Sequence, residues 1–137
     1  MVFVNKEERI LPPRAEFTDE EKIKIRTFMQ GAVYAWCRKQ EKSKDFSQWF
    51  QARDFFDGDE GDWIGTPLEI IRDRQKPSDE EKVHDAAGKD VGYFLKQVLA
   101  DDRKVFETQE GKGPYDPRKY RWTGEYAETD ESEVSGG

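Results

Sequence analysis

The chain contains one cysteine, Cys37, and one histidine, His84. A lone cysteine excludes an internal disulfide and fits a reducing, cytoplasmic setting. The two residues lie far apart, and no CxxC or HxxxH spacing is present, so no zinc site can be assembled. Long apolar runs are also missing. The longest, Gly31 to Cys37, is far too short to span a bilayer. Residues Met1 to Lys6 lack the basic-then-apolar form of a secretory signal. Positive charge is in deficit: 23 Lys and Arg against 30 Asp and Glu give a net charge of −7. A molecule of that sign does not bind nucleic acid or anionic membrane as a whole, although a local basic patch is compatible with it.

Hydrophobic residues are few as well, at 34% of 137 residues. That predicts one small core, helped by aromatics at 13%, since each buries a large area. No catalytic signature is present: there is no GxGxxG or GxxxxGK[ST] loop, and His84 has no nucleophile arranged beside it. The expectation is a non-enzymatic protein without cofactors. The run Asp57-Gly58-Asp59-Glu60-Gly61-Asp62 looks superficially like a calcium loop. It has Asp where the sharp-turn Gly belongs and Leu68 where the bidentate Glu belongs, so it reads as a solvated turn.

The pattern of what remains divides the chain into four parts. Residues 1–17 contain Pro12-Pro13 and no helical period, and read as an extended arm in which Val2, Phe3 and Val4 would need a partner strand. Residues 18–61 read as two helices. Thr18 and Glu21 form a capping box, with Ile25, Phe28, Met29, Ala32, Val33 and Trp36 following at helical spacing, which predicts a helix over 19–39. Asp45 is placed to cap a second helix carrying Phe46, Trp49, Phe50 and Phe56. Residues 125–137 read as a disordered acidic tail.

Residues 62–124 carry the clearest signals. Thr66-Pro67-Leu68-Glu69 combines an N-cap, a proline at the first helical position and a capping-box acid, so a short helix should run to about Gln75. Ser78 and Glu81 repeat the box, and Gly88 should bend or break the helix that starts there, leaving 78–99 as one kinked helix or two. Val91, Leu95, Val98 and Leu99 share one face of the last helical pattern. Arg103 to Glu110 and Arg118 to Thr123 alternate like strands around a tip rich in Gly and Pro. The expected fold class is mostly α with a C-terminal β-hairpin, in the form of a winged helix-turn-helix-like domain with an N-terminal helical extension.

In that outline Lys89, Tyr93, Lys96 and Gln97 share the face of the last helix opposite its apolar residues, a composition suited to phosphate and base-edge contacts. Lys112, Arg118, Lys119 and Arg121 would be the wing's grip on the phosphate backbone. Residues 82–121 carry nine bases and seven acids, a local excess of about +2 against a strongly acidic remainder. Asp85, Asp90, Asp101 and Asp102 interrupt the excess and would repel phosphate. The competing reading is association with protein or with a second copy, because the first two helices hold more aromatic surface than one small domain needs to cover.

The segments Trp63-Ile64-Gly65-Thr66-Pro67-Leu68 and Val91-Gly92-Tyr93-Phe94-Leu95-Lys96-Gln97-Val98-Leu99 resemble the winged-helix modules appended to some phage and plasmid primase or replicative-helicase proteins. The resemblance covers about the second half of the chain, with Ile71 filling the place of that pattern's leucine. It implies an accessory role near DNA transactions or mobile elements, with double-stranded DNA as partner, and carries over no catalytic residue. The leading expectation is a non-enzymatic DNA-associated accessory or regulatory protein. The alternative is a winged-helix adaptor that binds protein or homodimerises without touching nucleic acid.

Overall fold

A computed structural model of the chain describes residues 3–4, 13, 15–56, 63–75, 80–111 and 118–128, apart from the side chains at 80–82 and 84. The expected turn at 57–62, the Ser78–Glu81 box, the hairpin tip at 112–117 with Lys112, the tail beyond Glu128 and the side chain of His84 fall outside those residues. The elements are α1 (Asp19–Ser43), α2 (Ala52–Phe56), α3 (Leu68–Asp73), α4 (Glu80–Asp101), β1 (Lys104–Gln109) and β2 (Lys119–Tyr126). The fold is thus mostly helical and closes on an antiparallel hairpin of two strands.

Helix α1 starts where its sequence signal lies. The Glu21 N–H donates to the Thr18 hydroxyl at 3.1 Å, and the Thr18 N–H donates to the Glu21 carboxylate at 2.9 Å. The helix runs four residues past the expected end at 39. It stops when Lys44 turns left-handed, at φ 57°, and gives its N–H to the carbonyls of Gln40 and Glu41. Ile25, Met29, Val33 and Cys37 form the buried stripe, at intervals of four.

The second helix is much shorter than the expected span from Asp45 to Phe56. Asp45 accepts from the backbone and hydroxyl of Ser47 in a local turn, and only Ala52–Phe56 is helical. The reason is tertiary. Phe50 exchanges both of its backbone hydrogen bonds with Tyr120 at 2.8 Å, so it lies extended beside β2.

Helix α3 begins at Leu68, and its cap departs from the expected box. The Thr66 hydroxyl accepts from the Leu68 N–H at 3.2 Å and donates to the Trp63 carbonyl. The Glu69 carboxylate reaches past Thr66 to the Gly65 N–H at 3.1 Å. Gly65 has a φ of 82° there, a conformation that suits a residue without a Cβ.

Helix α4 is the centre of the molecule and contacts α1, α2 and α3. It is a single helix of 22 residues, continuous through Gly88, so Gly88 does not break it into two. Ala87, Val91, Phe94, Leu95, Val98 and Leu99 are all buried. Their packing outweighs a glycine penalty of about 1 kcal/mol. Asp90 is buried among them and receives the Ala15 N–H at 3.1 Å and the Gln75 amide at 2.9 Å. That carboxylate fastens the N-terminal segment and the end of α3 to the central helix.

The hairpin pairs Phe106 with Trp122, Glu107 with Arg121 and Thr108 with Tyr120, with a bulge between Lys104 and Phe106. Strand β2 continues to Tyr126, past its expected end at Thr123 and into the residues expected as tail. Both edges of the sheet are blunted, which limits pairing with other chains: Phe3 bridges to Glu107 on β1, and Phe50 bridges to Tyr120 on β2. One contiguous core joins Met29 and Val33 of α1, Phe94 and Leu95 of α4, and Phe106 and Trp122 of the hairpin.

Candidate functional site

Among its described side chains, helix α4 presents few to solvent. Asp85, Gly88, Lys89 and Asp101 are exposed, whereas Tyr93, Lys96 and Gln97 are half-buried. The face expected for base contacts therefore offers one exposed base, Lys89, with the exposed acid Asp85 one turn before it. Tyr93 packs edge-on against Phe94, ring centroids 5.0 Å apart, and burial raises its phenol above the ordinary value. It behaves as part of the core margin.

The two wing arginines are held by their own neighbours. The Arg118 guanidinium donates to the Glu110 carboxylate at 3.0 Å and to the Thr108 hydroxyl at 3.1 Å. Arg121 donates to the carboxylate of Glu107, which is almost fully buried, and its guanidinium lies 4.7 Å from the centre of the Trp49 ring. Each arginine thus has an acid from the facing strand as its partner. Lys119 is half-buried beside them. Sequence alone groups these bases as one cationic face without their cross-strand acids, because a partner is defined only once the register is known.

A different surface stands out in three dimensions. The outer face of α1 exposes Ile23 (56%) and Tyr34 (59%), and Tyr126 (51%) lies beside Tyr34 at the base of the hairpin. The Lys104 ammonium joins the two tyrosines. It sits 6.0 Å from the Tyr34 ring, 5.8 Å from Tyr126 and 5.6 Å from Trp122, and 3.6 Å from the Asp102 carboxylate. Asp102 also takes the Gln30 amide of α1 at 2.9 Å. Beside this node is an open groove of about 300 Å³, lined by Ile23, Arg26, Thr27, Gln30, Val98 and Asp101. On the other flank of α1, Phe28 is partly exposed and packs on Phe56 with ring centroids 6.1 Å apart. The sequence held one signal for this surface: Ile23 and Tyr34 lie outside the 25-29-33-37 stripe that faces the core.

A second cleft, about 470 Å³, lies between the start of α1 and the end of α3. The ion pair of Arg74 with Glu21 at 2.6 Å bridges it. That pairing and the Thr18 cap hold the Glu21 carboxyl below its ordinary value, and Arg74 is raised in turn.

Cys37 is 1% exposed, and burial pushes its thiol up to about 12, so it is not a ready nucleophile. Among the described residues no group of His, Cys, Asp and Glu has the arrangement to hold a metal ion. Likewise, no described helix is long and apolar enough to cross a membrane. Compared with known proteins, the chain matches no family model, no curated protein and no solved structure at a significant level.

Proposed function

We infer that this chain is a winged-helix-like adaptor that acts by binding protein, without catalysis, through the outer face of α1. The observation that carries this reading is the pair Ile23 and Tyr34, both more than half exposed on one side of a helix whose other side is fully packed. Tyrosines and large aliphatic side chains at such a position supply much contact area at small entropic cost. Tyr126 extends the surface onto the hairpin. The internal pairing of Arg118 and Arg121 supports the same reading, since it weakens the competing one: these two guanidiniums already face the carboxylates of Glu110 and Glu107 and have less charge to offer phosphate.

The winged outline itself is supported by element order. A long helix is followed by one extended residue, Phe50, then by further helices and the hairpin, and Phe50 pairs onto the returning strand. That order is compatible with the modules that the second half of the chain resembles. The fold alone does not choose the partner.

The test is capture of partners with the full chain as bait, beside the double variant Ile23→Glu/Tyr34→Glu. The reading expects defined proteins to be retained by the wild type and lost with the variant, while circular dichroism of the two stays alike. Recovery of the same proteins by both would contradict it. A second reading, contact with duplex DNA, draws on exposed Lys89 and the nearby Lys96. It requires binding that weakens steeply with salt and disappears in Lys89→Glu/Lys96→Glu.

A further inference from the structure

The segment before α1 is tied to the rest of the molecule at two described places. The first is the hairpin. Phe3 bridges to Glu107, and the Val4 N–H donates to the Phe106 carbonyl at 2.8 Å. Val4 is buried in the core, whereas Phe3 stays exposed. The second tie is at the root of α1. The Ala15 N–H donates to Oδ2 of Asp90 at 3.1 Å, and the same oxygen takes the Gln75 amide at 2.9 Å. Ala15 and Asp90 are both buried. Phe17 then packs edge-on against Phe94, ring centroids 5.3 Å apart, and Thr18 caps the helix.

The two ties are unequal. The root is fixed by a buried carboxylate, an aromatic contact and a helix cap in succession. At the hairpin, one backbone hydrogen bond and one valine side chain hold the chain down. Against them stands the entropy of closing the loop between the ties. The hairpin itself does not require Val4, because β1 and β2 pair along their own length. Val4 is therefore placed to leave while the fold stands. What it leaves behind is the edge of β1, and an open sheet edge is a template for another strand. The present occupant defines the chemistry of that seat. It offers the Phe106 carbonyl to a backbone N–H, and beside it a space in the core for an apolar side chain.

We propose that Phe3 and Val4 form a releasable strap on β1, and that the edge beneath them is a strand-addition site for an extended, apolar segment of a partner protein. In the resting molecule the chain's own strap fills the site and competes with that segment. Strand addition draws its affinity from main-chain hydrogen bonds and its selectivity from alternate side chains. The site is separate from the outer face of α1, and neither depends on the other.

Two measurements on the full chain test it. The first is native-state hydrogen exchange of the wild type, resolved by residue and corrected for intrinsic rates. The Val4 amide should exchange on the order of 10-fold or more faster than the amides that join β1 to β2, because the strap opens without the core. The second is binding of a labelled synthetic peptide of residues 1–8 to the wild type and to full-length Val4→Asp, whose strap carries a charge into an apolar seat. The peptide should bind the variant about 10-fold or more tightly than the wild type, where the seat is filled from within the same chain. A peptide carrying the same Val4→Asp change should bind neither. A Val4 amide that exchanges only in step with the core would overturn the strap. So would a Val4→Asp protein whose circular dichroism shows lost helix, since Val4 would then be integral to the fold. A peptide that binds neither protein, or both alike, would overturn the strand-addition site.

Discussion

Arg121 and Glu107 face each other across the hairpin, and the guanidinium is held between the Glu107 carboxylate and the Trp49 ring. Glu107 is buried although it lies on the strand face opposite the core residue Phe106. Its charge is balanced there by Arg121. Replacing Arg121 with alanine would leave a buried carboxylate without that cation and should lower stability by about 2–3 kcal/mol. Urea unfolding measures this. Glu107→Gln combined with Arg121→Met should recover most of the loss, because it removes both charges and keeps the volume.

Glycines separate into two kinds. Gly88 and Gly92 lie inside α4, and a Cβ at either meets nothing within 4 Å. Alanine at each should stabilise the protein by about 0.5–1 kcal/mol. Gly124 is the opposite case, with a φ of 86° and the Phe46 ring 3.2 Å from where its Cβ would be. Gly124→Ala should destabilise by about 1–3 kcal/mol. Thermal denaturation of the three variants reads both signs.

Acid should loosen the junction of α1 and α3. The Glu21 carboxyl is held below its ordinary value of 4.5, first by its hydrogen bonds from Arg74 and then by the Thr18 cap. A lowered folded value means the contribution is complete above that ordinary value and is lost as pH falls through the lowered one. The difference in melting temperature between wild type and Arg74→Ala should therefore be present at neutral pH and shrink below about pH 4. Thr18→Ala should cost about 1 kcal/mol at neutral pH through the lost cap.

Cys37 offers a probe of opening. With its thiol pushed up to about 12 and its side chain enclosed, almost no thiolate exists at neutral pH. Labelling by a thiol reagent at pH 8 should proceed only when the core around α1 opens. Its rate should rise with urea in step with unfolding, and fast labelling of the native protein would contradict the packing described.

The elements with local causes were legible in the sequence. The Thr18–Glu21 box marks the start of α1 to the residue, and the alternation over 103–110 and 118–123 marks most of the hairpin's two strands. The extended path at Phe50 was not legible, because its two hydrogen bonds come from Tyr120, seventy residues away. The continuity of α4 through Gly88 also lies outside local propensity, since buried neighbours on three other helices decide it. The candidate nucleic-acid face failed to separate for a similar reason. Lys89, Lys96, Arg118 and Arg121 carry the same charge in the sequence, but only the cross-strand register assigns Glu110 and Glu107 to the two arginines. Ile23 and Tyr34 lay off the core stripe, yet only the placement of α4 and the hairpin beside α1 leaves them uncovered.

A photo-crosslinking residue placed at position 34, and separately at position 89, tests the central claim most directly when the full-length protein is irradiated in its native cell. The account predicts a protein adduct from position 34 that resists nuclease, and none from position 89. An adduct from position 89 alone, removed by nuclease, would contradict it and return the molecule to the nucleic-acid reading.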